Sequence, residues 1–448
     1  MTVGSALGRL LSSSGHDRLP AYSTDGSGAR RAAAERARAP GDHVPVLDGL
    51  RGVAVLLVLF HHTIGRPLGP ATTLVDAAVA AVATPGWTGV DLFFVLSGFL
   101  ITGILLDTKG QPRWWPNFIV RRALRIFPLY YGALTVLFVL LPRLVTWSNW
   151  ADFTTLQANQ RWYWTYAVNL LAALTNGSGT PFNTVHFWSL SIEEQFYLMW
   201  PLVVWACTPR ALLRVVAFAV IGGLAVRLGL VLQGSIGPYS IYFLTPLRLD
   251  GLMTGAALAV VARTPGGFAP LKALAPQVFG AGMLALGAVA MWRGGLEPRD
   301  PVVAVVAYPV IALVFGALLV MALTAPPTSR LVRTLCTASL GKWGKYSYCI
   351  YLIHYPLWGA VAWKTPFYRH EVALLGGSRL PSVLLIAVVV MSMSYTLAWL
   401  SYHLYEKHFL ELKRYFVHRP ASVPRHSPPE GATATAPLPA ARPTAAAT

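Results

Sequence analysis

Long apolar runs constrain this chain more than any other feature. Ten stretches, roughly 45–64, 88–106, 127–144, 189–206, 211–232, 243–262, 277–292, 302–323, 346–363 and 382–405, are each apolar enough to enter hydrocarbon. Most are about 18 to 22 residues long, enough for a helix to cross a core of about 30 Å. In lipid a helix satisfies its own backbone polar groups, whereas a β-barrel needs two-residue alternation, which these runs lack. Only 12% of residues are charged, about half the share usual in a soluble domain. The expected fold is therefore all-α, a polytopic transmembrane bundle of about ten spans, placed as a multi-pass protein of the cell membrane.

Loop charge predicts the orientation. With the N-terminus inside, thirteen Lys and Arg residues fall in short inner loops and eight in longer outer ones, so the positive-inside rule puts both termini in the cytoplasm. The net charge of +18 is read as topology signal and contact with anionic lipid, with no nucleic-acid partner expected. Residues 1–43 lack the apolar core of a cleaved leader and are rich in Ala, Arg, Ser and Gly. They are expected to be a disordered cytoplasmic tail. Residues 44–415 form the expected membrane domain, and 416–448 a disordered Pro/Ala-rich tail. The stretch Arg161 to Thr175 is short and aromatic and reads as an interfacial or re-entrant helix. The three cysteines, Cys207, Cys336 and Cys349, imply neither a disulfide framework nor a metal site.

Several ionisable groups interrupt the apolar runs. "LRGVAVLLVLFHH" opens with Arg51 and closes with His61 and His62. At 100° per residue, Arg51 and His62 lie about 20° apart around the helix and about 16 Å apart along it. They are either a site or a snorkelling arginine with an interfacial histidine. Asp91, in "GVDLFFVLSGFLITG", is placed to orient a histidine of the first span, or simply favours its helix N-terminus. Arg121, Arg122 and Arg125 cover one flank of a helix and match phosphate geometry, although such clusters also serve topology. Glu193 and Glu194 are adjacent, so at most one is expected to face the bundle interior. Arg248 and Asp250 read as an internal charge pair. His354, among Tyr346, Tyr348 and Tyr351, is equally a site histidine or a satisfied structural one.

Taken together, "GVDLFFVLSGF", "RRALRIFPLYY", "WSLSIEEQFY", "YSYCIYLIHYPL" and the Arg51–His62 spacing resemble the acyltransferase-3 family of integral membrane proteins, from about Pro45 to Glu406. The resemblance implies O-acyl transfer from acyl-CoA to a carbohydrate, a glycolipid or another sugar-bearing small molecule, with acetyl the commonest group. It implies roles for Arg51 and His62 and a nucleotide-binding role for Arg121, Arg122 and Arg125. On this reading His62 is the general base, because imidazole titrates near neutrality, and Asp91 or Glu193 orients it. Acyl-CoA is a donor substrate, with no permanently bound cofactor and no metal expected. A relay through Ser189 or Ser191 ranks lower. Some relatives carry a C-terminal hydrolase-like domain; a Pro/Ala-rich tail is expected in its place here, so any second domain that hands on the acyl group is expected to be another protein or absent. The rival reading is a proton-coupled transporter using the same His, Asp and Glu groups, which has no need of three clustered arginines.

Overall fold

The computed structural model describes residues 44–416, except 70, 72, 145–149, 182–183, 235–236 and 365–375. The two tail expectations, over 1–43 and from 417 on, lie outside the described residues. The regular elements of the described residues are all helical. The principal ones are α1 (Pro45–Phe60), α2 (Gly89–Thr108), α3 (Trp114–Thr135), α4 (Phe187–Ala206), α5 (Pro209–Gln233), α6 (Asp250–Val261), α7 (Ala275–Arg293), α8 (Tyr308–Thr324), α9 (Ala338–Lys364) and α10 (Leu380–Ser401).

Each expected span falls on one of these helices, but they are not alike. Seven segments are long and apolar enough to cross a membrane: those containing α1, α2, α3, α5, α7, α8 and α10. The 20-residue α4 carries Glu193, Glu194 and Gln195 in its middle, and the 27-residue α9 carries Lys342, Lys345 and a file of polar side chains. With 12 residues, α6 rises only about 18 Å, well short of a bilayer core. The Arg161–Thr175 region breaks into the short helices Gln160–Trp164 and Val168–Leu174, neither long enough to cross.

Burial sorts centre from periphery. In the segment holding α2, 72% of the apolar window is buried, against 11% in α5 and 17% in α7. Bundles in lipid gain little from hydrophobic contrast, so close backbone approach drives association. Two contacts show it. A Cβ on Gly344 of α9 would lie 1.8 Å from the Asp48 carbonyl oxygen of α1, and one on Gly255 of α6 would lie 2.0 Å from that of Val95 on α2. Helices α1 and α9 advance together, from Asp48 against Gly344 to His62 against His354. Helix α4 runs the other way, with Ser189 meeting Tyr351 and His186 meeting Leu352. These three helices frame the polar interior.

Candidate active site

At the C-terminal end of α1 the α-helical bonding gives way to a π-helical turn, His61–Gly65, closed by the Arg66 N–H donating to the His61 carbonyl. Single π turns are frequent at functional sites. Here the turn sends two adjacent histidines to different partners. His61 Nδ1–H donates to the Thr84 carbonyl at 2.6 Å. His62 Nδ1 lies 2.9 Å from His354 Nε2, and its ring stacks on Tyr355 with centroids 4.4 Å apart.

The tautomers follow from the acceptors. His354 Nδ1 faces the carbonyls of Tyr351 at 2.7 Å and Ile350 at 3.1 Å, and carbonyl oxygens only accept, so that nitrogen carries a proton. In the neutral ring Nε2 then holds a lone pair, and His62 Nδ1–H must donate to it. This leaves the Nε2 lone pair of His62 as the free basic end of the relay. His186 completes the cluster. Its Nε2–H donates to the Leu352 carbonyl at 3.1 Å, a carbonyl left open because residue 356, four positions on, is a proline without an N–H. Its Nδ1 is buried without a partner, and its ring lies 5.2 Å from that of His354.

Along the same helices lies a cavity of about 110 Å³. Its charged lining is Arg51, Arg122, Arg125, Glu193 and Glu194, and its hydroxyls are Ser97, Tyr197, Ser189, Tyr351, Ser347 and Tyr348. Three guanidinium groups thus face two carboxyls. Arg51 is also paired with Asp48 at 2.8 Å, one turn back on α1. Glu193 shares this lining with Ser97 and Tyr197, and Arg51 and Arg125 are nearby. The cavity and the histidines are neighbours along the helix axes. On α9, Tyr351 lines the cavity and His354 follows three residues later, about 4.5 Å of rise.

The acyltransferase-3 family model, described as an acyltransferase domain, matches residues 44–403. The chain belongs to the acyltransferase-3 family. Among curated relatives it is similar to the peptidoglycan O-acetyltransferase OatA of Listeria monocytogenes, 28% identical over 70% of this chain and 49% of the relative. It is also similar to the O-acetyltransferase OatA of Staphylococcus aureus, 27% identical over 70% of this chain and 50% of the relative. The chain spans about half the length of the curated relatives it matches. No solved structure matches it.

Membership in an acyltransferase family gives no support to the transporter reading, and the geometry revises several residue expectations. Arg122 and Arg125 line the cavity, but Arg121 does not: its guanidinium donates to the Lys413 and Phe416 carbonyls, both at 3.3 Å. There it caps the last helical turn of the described chain, Leu412–Tyr415, where unpaired carbonyls favour a cation. Both Glu193 and Glu194 face the cavity, which corrects the expectation that only one points inward; the cavity is wide enough to admit neighbours on one helix. Among the described contacts, neither Glu193 nor Asp91 touches His62. Asp91 Oδ1 instead pairs with Arg248 at 3.0 Å. The expected Arg248–Asp250 pair does not form, because Asp250 receives a two-pronged bond from Arg227 at 2.6 and 2.9 Å. Ser191 donates only to its own helix, to the Phe187 carbonyl. Ser189 bonds Tyr351 and the His186 carbonyl rather than an imidazole nitrogen, so among the described residues no base bonds it as a nucleophile would need.

The two arginine pairs tie neighbouring helices together. Arg227 and Arg248 are each 1% exposed, and the Arg248 guanidinium sits 4.1 Å from the Tyr308 ring centre and 4.9 Å from that of Tyr242. Removing one partner of a buried pair costs about 3–5 kcal/mol, since the other charge stays behind. Asp91→Asn is therefore expected to lower the melting temperature of the detergent-solubilised protein sharply, while turnover per folded molecule stays near normal. A normal melting curve with lost turnover would return Asp91 to the catalytic group.

Proposed function

We propose that this chain moves an acyl group, acetyl first among them, from acyl-CoA to a hydroxyl of a carbohydrate, glycolipid or sugar-bearing small molecule. The observation that carries the reading is the open Nε2 lone pair of His62 at the end of the His354 relay. In this mechanism the acceptor hydroxyl oxygen attacks the thioester carbonyl carbon while His62 Nε2 takes its proton. The tetrahedral intermediate collapses, the carbon–sulfur bond breaks, and the imidazolium returns the proton to the leaving thiolate. The products are the O-acyl ester and free CoA. His354 holds the ring in the required tautomer and shares the imidazolium charge, as a general base needs.

The phosphates of CoA are assigned to Arg122 and Arg125, with Arg51 behind them. Guanidinium forks suit phosphate oxygens, and a polyanion in a low-dielectric bundle requires such partners. The pantetheine arm then runs along α9 toward Tyr351 and the thioester stops beside the histidines. With the N-terminus in the cytoplasm, as loop charge favours, the arginine end opens to the cytosolic CoA pool and the histidine end lies near the outer face. The names of the relatives make a cell-wall glycan the first acceptor to test. Mass spectrometry of glycans and metabolites from cells with and without the protein is expected to show a species heavier by one acyl group only where the protein is present. Identical profiles in both would remove this reading.

A further inference from the structure

Acyl transfer places negative charge on the donor's carbonyl oxygen as the tetrahedral intermediate forms. His62 handles the proton and the arginines the phosphates, so that oxygen still needs a hydrogen-bond donor. Inside an apolar bundle an unmet oxyanion is costly, and donors placed in advance are often the largest single contribution to such a reaction.

Two hydroxyls stand where this charge would develop. Ser189 Oγ and Tyr351 Oη lie 2.5 Å apart, and each also lies 3.2 Å from the His186 carbonyl oxygen. Both side chains are buried and both line the cavity. The pair holds two O–H protons. Whichever hydroxyl donates to the other, the second donates to the His186 carbonyl. That second bond is the longer one, and an arriving oxyanion competes for its proton with a shorter, charge-assisted bond.

Position along the bundle agrees. The Tyr351 ring lies 5.6 Å from both the His186 and His354 rings, so the pair sits at the histidine end of the cavity. Ser189 is one helical turn from Glu193 on α4, about 6 Å of rise toward the arginine end. A carbonyl held at the pair therefore lies between the assigned phosphate site and the base. A second serine–tyrosine pair, Ser97 and Tyr197, is also 2.5 Å apart, but Tyr197 lies one turn beyond Glu193 on α4, away from the histidines.

We propose that the Tyr351–Ser189 hydroxyl pair supplies the hydrogen-bond donor that stabilises the thioester oxyanion. The assignment rests on the reading that acyl-CoA enters this cavity. The step balances within the reaction already written: the carbonyl π electrons move onto oxygen, that oxygen accepts the hydroxyl hydrogen bond, and the bond relaxes to the His186 carbonyl when thiolate leaves. No proton is transferred to or from the pair.

The test uses the full chain in lipid nanodiscs with acetyl-CoA, measuring kcat and acetyl-CoA affinity separately. Tyr351→Phe combined with Ser189→Ala is expected to lower kcat by about 10²–10³-fold, the usual loss of an oxyanion donor, with the dissociation constant changed less than about threefold. Fluorinated tyrosine at position 351 keeps the ring and the hydroxyl but makes it more acidic, and kcat is expected to vary with that acidity. This readout does not depend on the double variant folding. Unchanged kcat in the folded double variant, loss confined to acetyl-CoA affinity, or a rate indifferent to fluorination would each overturn the assignment while leaving the donor reading intact. Failure of the wild-type protein to release CoA from acetyl-CoA would instead remove the donor reading, and this inference with it.

Discussion

His62→Ala is expected to lower acyl transfer by about 10²–10⁴-fold, the usual contribution of a general base, without loss of membrane expression. His61→Ala is expected to keep most activity. The two residues are adjacent and both ring-nitrogen bonded, so the contrast depends entirely on their partners. His61 spends its Nδ1–H on the Thr84 carbonyl, a contact that ties the π turn to the segment before α2. His62 spends its own on His354 and keeps a basic nitrogen open. His354→Ala removes the acceptor that fixes the tautomer, and its expected loss is smaller than that of His62→Ala, because the base itself remains. Equal losses at His61 and His62, measured as initial rates on matched amounts of folded protein, would contradict the relay.

The second large effect belongs to the arginines. Arg122→Gln with Arg125→Gln is expected to weaken acyl-CoA binding by a few kcal/mol, since each charge-assisted bond contributes about 1.5–3 kcal/mol. That is at least about a hundredfold in the dissociation constant. Binding by the unaltered protein should also weaken with salt, because a site that admits a polyanion must open to solvent. Arg121→Gln is expected to leave acyl-CoA affinity near normal, because that side chain holds the Lys413 and Phe416 carbonyls instead. Its cost should appear as earlier proteolysis of the C-terminal turn. Titration of acyl-CoA at two ionic strengths separates the three arginines. Equal losses from Arg121→Gln and the double variant would return them to one phosphate cluster.

Much of this was legible in the chain. Apolar run length placed the principal helices, and the family blocks fall on α1, α2, α3, α4 and α9. The stripe Ser347, Tyr348, Tyr351, His354 and Tyr355 recurs at helical spacing through α9, enough to show one polar face. Pairing was not legible, because it depends on which helices meet. Sequence neighbours suggested Arg248 with Asp250, but their side chains leave the chain in different directions and find Asp91 and Arg227 across helix boundaries. The role of Arg227 had no local signal beyond a charge inside an apolar run. The His62–His354 bond joins residues 292 positions apart, and ideal 100° spacing gives no hint of the π turn that aims it. For His186 a signal did exist. "LIHYP" puts a proline inside an otherwise helical stretch, which frees one carbonyl, but only the packed structure shows which side chain takes it.

The most direct measurement follows a labelled acetyl group. The purified full chain in nanodiscs is given acetyl-CoA labelled at the acetyl carbon, together with glycan extracted from cells lacking the protein. The expected result is label appearing as an alkali-labile ester on the glycan, one equivalent of CoA thiol released per ester formed, and both products formed at least about a hundredfold more slowly with His62→Ala. Label that stays on CoA while acetyl-CoA binds the wild-type protein, or ester formation at an undiminished rate without His62, would contradict the account.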